Sequence, residues 1–240
     1  MRYNEVIKAK GSIYVKKLLV VESTPYTMER MKQLFGDEWS VLPCYSGAEA
    51  IQYLRFFVPD AMIISHRPPQ VDSYEILPEC FPNIPAVTVA LVSSTMAADV
   101  NSLARWGVDT LFEFPCDLNV LKNTVSILHR SQGVVARRTS QHLRVLGFSA
   151  GSQGYIYLLL SICFFSEDMC QQLHNEVYRK VAEITGTDER NIEKALRLLI
   201  RSGWERGKPE IWEKYFPVDK NGFVACPKNR EFITSLAQLV

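Results

Sequence analysis

The chain predicts an α/β fold in its first half and an all-α fold in its second: a doubly wound parallel sheet, then a helical bundle. Two observations carry this. Over residues 1–130 short apolar runs alternate with amphipathic stretches, the pattern of parallel strands covered by helices on both faces. After Gly154 the apolar residues recur at helical spacing, and no pair of strand-like runs remains.

The first half is read in order. Lys16–Glu22 (KKLLVVE) is an apolar run ending in a carboxylate, which suits a buried parallel strand. A helix follows with Met28, Met31, Leu34 and Phe35 on one face. Trp39–Cys44 reads as a strand, Gly47–Phe57 as a helix, and Asp60–Ser65 (DAMIIS) as a strand. Tyr74–Cys80 is a short helix and Ala86–Val92 (AVTVALV) a strand. Ala97–Trp106 is a helix, Thr110–Glu113 a strand, and Leu118–Arg130 a helix. In such a sheet a site lies at the carboxyl ends of the strands.

Ser131–His142 (SQGVVARRTSQH) is polar and aperiodic, and reads as a linker between a unit at 1–130 and one at 143–240. Beyond it, Tyr155–Phe165 is an apolar helix, and Ser166–Cys170 begins another. Glu176–Thr185 is amphipathic, with Val177, Val181 and Ile184 on one face. Pro209–Phe216 and Asn229–Leu239 complete the bundle.

Composition bounds the function. A charged fraction of 22% and an apolar fraction of 47% are those of a globular protein with real cores. The net charge of +1 divides unevenly: residues 1–130 hold 12 Lys and Arg against 14 Asp and Glu, residues 131–240 hold 15 against 12. The basic excess therefore lies in the helical half. Cys44, Cys80, Cys116, Cys163, Cys170 and Cys226 are scattered without metal-ligand spacing, and read as reduced thiols of a cytoplasmic protein. The first ten residues lack the apolar core of a signal peptide, and Tyr155–Phe165 is too short to span a bilayer, so no membrane association is expected. No metal and no cofactor are expected.

Gly147-Phe148-Ser149-Ala150-Gly151 fits the nucleophile-elbow pattern of hydrolases. That motif needs a strand–turn–helix setting and a later acid and histidine, and His174 is the only histidine after Ser149. The chain is not expected to be an enzyme. Ser149 instead suits a helix start, where exposed N–H groups can hold a phosphate.

The richest segment is Thr187–Gly207 (TDERNIEKALRLLIRSGWERG). At about 100° per residue, Ile192, Ala195, Leu196, Leu199, Ile200 and Trp204 gather on one side. Arg190, Lys194, Arg197 and Arg201 fall opposite, with Glu193 on the edge. Thr187 is placed to cap the start and Gly207 to stop the helix. Thr185-Gly186-Thr187 is a tight turn behind Glu176–Thr185. Helix, glycine turn and helix with a basic face form a helix-turn-helix layout, whose second helix enters the major groove.

The first half also resembles the receiver domain of bacterial response regulators, a flavodoxin-like (βα)5 fold. The matching stretches are VVES, YSGAEAI, PDAMIISHRPPQVDSYEIL and GVDTLFEFPCDLNVL. The second half resembles the DNA-binding domain of the stage-zero sporulation master regulator family. It does so through GYIYL at 154–158, the frame TxxxxIEKALRxxIxxxWxRG at 187–207, and KNREFI at 228–233.

The resemblance implies roles. In that DNA-binding domain a Glu-Arg pair and an Arg three residues later read bases, and these positions fall on Glu193, Lys194 and Arg197. Lysine in place of arginine lacks the planar fork that pairs bidentately with guanine. Arg190, Arg201, Arg179, Lys180 and Ser149 are the candidates for phosphate contacts.

In working receivers an aspartate ends strand three as phosphoryl acceptor, and an acidic pair ends strand one to hold Mg²⁺. A hydroxyl ends strand four and a lysine ends strand five. Here these positions fall on Ser65, on Glu22–Ser23, on Val92 (Ser93 with a shift of one) and on Phe114. A serine without a base is a poor nucleophile, one carboxylate is a weak Mg²⁺ anchor, and phenylalanine neutralises nothing. Asp60 and Asp72 flank strand three rather than end it.

The expectation is a sequence-specific regulator of transcription that binds double-stranded DNA without aspartyl phosphorylation. It would form a homodimer or heterodimer through the receiver, with Ala97–Arg130 and a surface Trp106 as the pairing region. The alternative is a non-enzymatic interaction protein that pairs with a phosphorylatable relative and modulates it.

Overall fold

The computed structural model describes residues 15–80, 83–85, 87–93, 100–131, 133–168, 176–220 and 222–240. Five strands, β1 (Lys16–Val21), β2 (Trp39–Cys44), β3 (Ala61–Ser65), β4 (Val87–Val92) and β5 (Thr110–Glu113), form one parallel sheet in the order β2-β1-β3-β4-β5. The order reverses at β1, so β1 and β3 flank the crevice where an α/β sheet offers its site. Strands β3 and β4 are buried at every position because helices cover both faces. Pro43 is tolerated in β2 because that strand is an edge.

The covering helices are α1 (Pro25–Phe35), α2 (Gly47–Phe56), α3 (Ser73–Cys80), α4 (Val100–Arg105) and α5 (Leu118–Arg130). Their starts are chemically marked. Pro25 opens α1, the Ser46 hydroxyl accepts from Glu49 N at 3.3 Å, and Asp117 accepts from Asn119 N at 2.8 Å. Residues 97–99, the first part of the expected Ala97–Trp106 helix, lie outside the described residues. Trp106 is half-buried against the core rather than on the surface.

The expected linker holds a helix. α6 (Val134–Val145) starts just after α5, with Gly133 at φ +65° making the turn between them. Its buried face is Ala136, Thr139, Ser140 and Leu143, a spacing of three and four built mainly from small residues. That composition hides the helical period from a reading based on large apolar side chains.

The helical half continues with α7 (Gln153–Asp168), α8 (Tyr178–Thr185), α9 (Glu189–Arg206), α10 (Pro209–Trp212) and α11 (Asn229–Ala237). α7 runs unbroken through Asp168, where a second helix was expected to begin at Ser166. Cys170 and His174 lie outside the described residues. α10 is a single turn, shorter than the expected Pro209–Phe216. Beyond it Val218 and Val224 form an isolated antiparallel bridge around a turn at Gly222, whose φ is +81°. The core of this half joins Phe148, Trp212, Phe216 and Phe232, whose rings contact one another at 5.4–6.1 Å. No helix is long and apolar enough to cross a membrane among the described residues.

Candidate functional site

Two places concentrate chemistry. The first is the crevice at the carboxyl ends of β1 and β3. Glu22 follows β1 and is only 1% exposed. Its carboxylate accepts from Thr24 N at 2.8 Å and from the Ser65 hydroxyl at 2.6 Å. The guanidinium of Arg67 completes the set, with Nε 3.1 Å from Oε1 and 3.2 Å from Oε2. The same guanidinium lies over the Phe114 ring at 5.1 Å, within cation–π range. Val92 is buried beside them, Ser93 is exposed and Ser23 is half-buried.

The receiver positions singled out from sequence thus meet in one crevice: Glu22, Ser65 and Phe114 through Arg67, with Val92 lining the same small cavity as Ser65 and Phe114. Arg67 itself was missed. It lies two residues beyond the acceptor position and is aimed by a bridge to Val71. Its partner Glu22 is 45 residues away, so only the fold pairs them.

Mg²⁺, which the receiver fold implies, does not fit this donor set. The one carboxylate has both oxygens engaged by a hydroxyl, a backbone N–H and a fixed cation, and Ser23 supplies no second charge. Asp60 and Asp72 serve the backbone: Asp60 accepts from Lys17 N at 2.7 Å and Asp72 from Tyr74 N at 2.9 Å.

Next to Ser65, His66 is buried, which lowers its pKa. Its Nδ1 is 3.3 Å from Ser73 N and 2.9 Å from Ser73 Oγ. A neutral imidazole that accepts from the backbone N–H at Nδ1 carries its proton on Nε2.

The second place is the exposed face of α9. Gly186, at φ +66°, closes α8 by donating its N–H to Ala182 O at 2.9 Å, and α9 begins three residues later. Asp188, not Thr187, caps α9: its carboxylate accepts from Asn191 N at 2.9 Å and from the Asn191 amide at 2.6 Å. Gly207 ends the helix in extended backbone, and glycine is needed there because Trp212 packs where a Cβ would stand.

Ile192, Leu196, Ile200 and Gly203 are buried, with Ala195 and Leu199 half-buried beside them. Trp204 sits at the rim, its indole N–H donating to Val224 O at 3.0 Å. Arg190, Lys194, Arg197 and Arg201 are exposed opposite. Arg197 pairs with Glu193 at 2.5 Å and Arg201 with Glu205 at 2.8 Å, one turn apart in each case. Asn229, opening α11, donates to Glu193 O at 3.0 Å and ties this part of α9 to the bundle.

On α8, Arg179 is exposed beside Glu183, while Lys180 lies over the Phe164 ring at 5.5 Å. Ser149 is exposed but does not start α7. Ser152 does, its hydroxyl accepting from Tyr155 N at 3.2 Å. The segment before Ser149 is helix α6 rather than a strand, so the nucleophile-elbow setting is not met.

Residues 139–240 match the family model described as sporulation initiation factor Spo0A C terminal. That match covers the helical C-terminal part of the chain. Its N-terminal half is similar to solved receiver domains. One is that of the Francisella response regulator 1452, at 19% identity over 49% of this chain and 98% of that one, with a TM-score of 0.45. Another, from Bermanella marisrubri, has 21% identity over 48% of this chain and 99% of that one, with a TM-score of 0.44. The flavodoxin-like architecture of this half rests on its own strand order and parallel register.

Proposed function

We propose that the chain is a sequence-specific DNA-binding regulator of transcription that works without aspartyl phosphorylation. The receiver-like unit spans residues 1–130 and the DNA-binding unit 143–240, with residues 131–142, which hold most of α6, between them. The observation that carries the reading is the face of α9: four exposed cations and Glu193 on one side of a capped helix, set behind the Gly186 turn, in a domain of the Spo0A C-terminal family. α8 and α9 act as a helix-turn-helix, with α9 in the major groove. Glu193, Lys194 and Arg197 address base edges. Arg190, Arg201, Arg179, Lys180 and Ser149 address phosphates, which give affinity and salt dependence without base information.

The crevice supports the second part. Ser65 donates its hydroxyl to Glu22, no carboxylate stands at the acceptor position, and Arg67 already neutralises the carboxylate that would draw a metal. The fold of a response regulator is kept while the chemistry of its switch is absent.

Two measurements test this. Arg197→Ala should abolish selective binding to fragments chosen from genomic DNA by the purified protein, with the circular dichroism spectrum unchanged; retained selectivity would refute the role of α9. Incubation with a small-molecule phosphodonor and Mg²⁺ should leave the intact mass unchanged, and a stoichiometric phosphoprotein would refute the phosphorylation-independent reading.

A further inference from the structure

At the opposite end of the sheet from the crevice, one arginine gathers three receiver segments. Arg137, in the first half of α6, donates through Nη2 to Pro85 O at 2.6 Å and to Gly107 O at 3.0 Å. Its Nε lies 3.5 Å from Oδ1 of Asp109, which is 2% exposed. The other oxygen of Asp109 accepts from Thr88 N at 2.8 Å. Pro85 precedes β4, and Gly107 and Asp109 precede β5, so the cation closes the amino ends of both strands. Gly107, at φ +88°, turns the chain there, and a Cβ on it would stand 3.6 Å from Arg137 Nη2.

Two further bonds reach the same spot from the helical half. The Ser140 hydroxyl donates to Asp109 O at 3.0 Å, and the Tyr155 hydroxyl, from α7, reaches the same carbonyl at 3.4 Å. The far half of α6 belongs equally to the bundle: Leu143 is buried, and His142 Nδ1 is 2.8 Å from the Tyr215 hydroxyl. α5 of the receiver also packs on α7 and α8.

We propose that Arg137 locks the receiver and the C-terminal bundle into one rigid body, fixing the α8–turn–α9 segment relative to the sheet. The chemistry favours arginine for this task. A planar guanidinium presents several fixed N–H donors, so one side chain satisfies two carbonyls while facing a carboxylate. A lysine ammonium has one nitrogen and cannot stand both where Nη2 meets the two carbonyls and where Nε faces the carboxylate. Burial raises the cost of parting the pair, because an unpaired carboxylate at Asp109 would stay in a site shut off from water. α6 adds stiffness, since a single helix carries bonds to both halves.

The test uses the full chain and no DNA, so its result is independent of the DNA-binding reading. The wild type should scatter as one compact particle with a radius of gyration of about 18 Å, the size expected for a single body of this length, and should melt in one calorimetric transition. The double variant Arg137→Met/Asp109→Asn removes both charges together and leaves no lone buried ion. It should give a larger radius and two transitions, with far-UV circular dichroism unchanged. Arg137→Lys, the conservative variant, should behave like the double variant rather than like the wild type. An expanded, two-transition wild type would overturn the proposal. So would folded variants that keep the compact radius and the single transition.

Discussion

Replacing Arg67 by alanine tests whether a fixed cation has taken the place of the metal in the receiver crevice. In the wild type the Glu22 carboxylate is 1% exposed and holds the guanidinium at 3.1–3.2 Å. Removing one partner of a fully buried pair costs about 3–5 kcal/mol. The Arg67 side chain is 38% exposed, so water partly replaces it and the expected loss falls to about 2 kcal/mol. Losing the stack on Phe114 adds about 0.5 kcal/mol. At a urea slope of about 2 kcal/mol per molar, the midpoint should drop by about 1 M. Glu22→Gln/Arg67→Ala removes both charges, and its loss should fall short of the summed single losses by about 1–2 kcal/mol. Magnesium supplies the functional arm. A site with a Kd near 1 mM would add about 1.4 kcal/mol at 10 mM Mg²⁺, whereas the wild-type midpoint should not move. Additive single and double variants, or a wild type stabilised by Mg²⁺, would refute the argument.

Two further results are expected from stability measurements. Gly203→Ala puts a Cβ 2.5 Å from the Phe148 ring, and this overpacking should cost about 1–3 kcal/mol. Gly154→Ala meets its neighbours only at 3.5 Å, so it should be neutral or stabilising in the same denaturation assay, and equal losses at both sites would refute the packing account. Burial pushes the Asp109 carboxyl up to about 6, against the opposing pull of Arg137. A carboxyl raised in the folded state contributes stability that is present at low pH and lost as pH rises towards 6. The wild type should therefore lose about 2.4 kcal/mol relative to Asp109→Asn between pH 4 and 7. A difference that stays flat across that range would refute the assignment.

Much of the architecture is legible in the sequence because buried parallel strands are continuous apolar runs. Thr110–Glu113 and Leu118–Arg130 have the predicted limits, and the other strands differ by one residue at most. The apolar face of α9 is legible for the same reason, since Ile192, Leu196 and Ile200 repeat every four residues. What escaped depends on partners far along the chain or on muted patterns. α6 buries alanine, threonine and serine, so its period is carried by small groups. Arg67 and Arg137 look like ordinary surface charges until the fold brings Glu22, Pro85, Gly107 and Asp109 to them. Trp106 looks like a surface residue by its place after a polar helix, yet it packs on the core.

The double allegiance of α6 bears on how such a protein is cut or recombined. A receiver ending at residue 130 keeps Asp109 and the carbonyls of Pro85 and Gly107 but forfeits the guanidinium and the hydroxyls that meet them. A bundle beginning at residue 143 forfeits the His142 partner of Tyr215 and half of a helix that packs on α7. Grafting either half onto a foreign partner at this seam therefore strips contacts from both sides. The junction behaves as shared interior, and the smallest interchangeable piece of this molecule includes α6 on whichever side the cut is made.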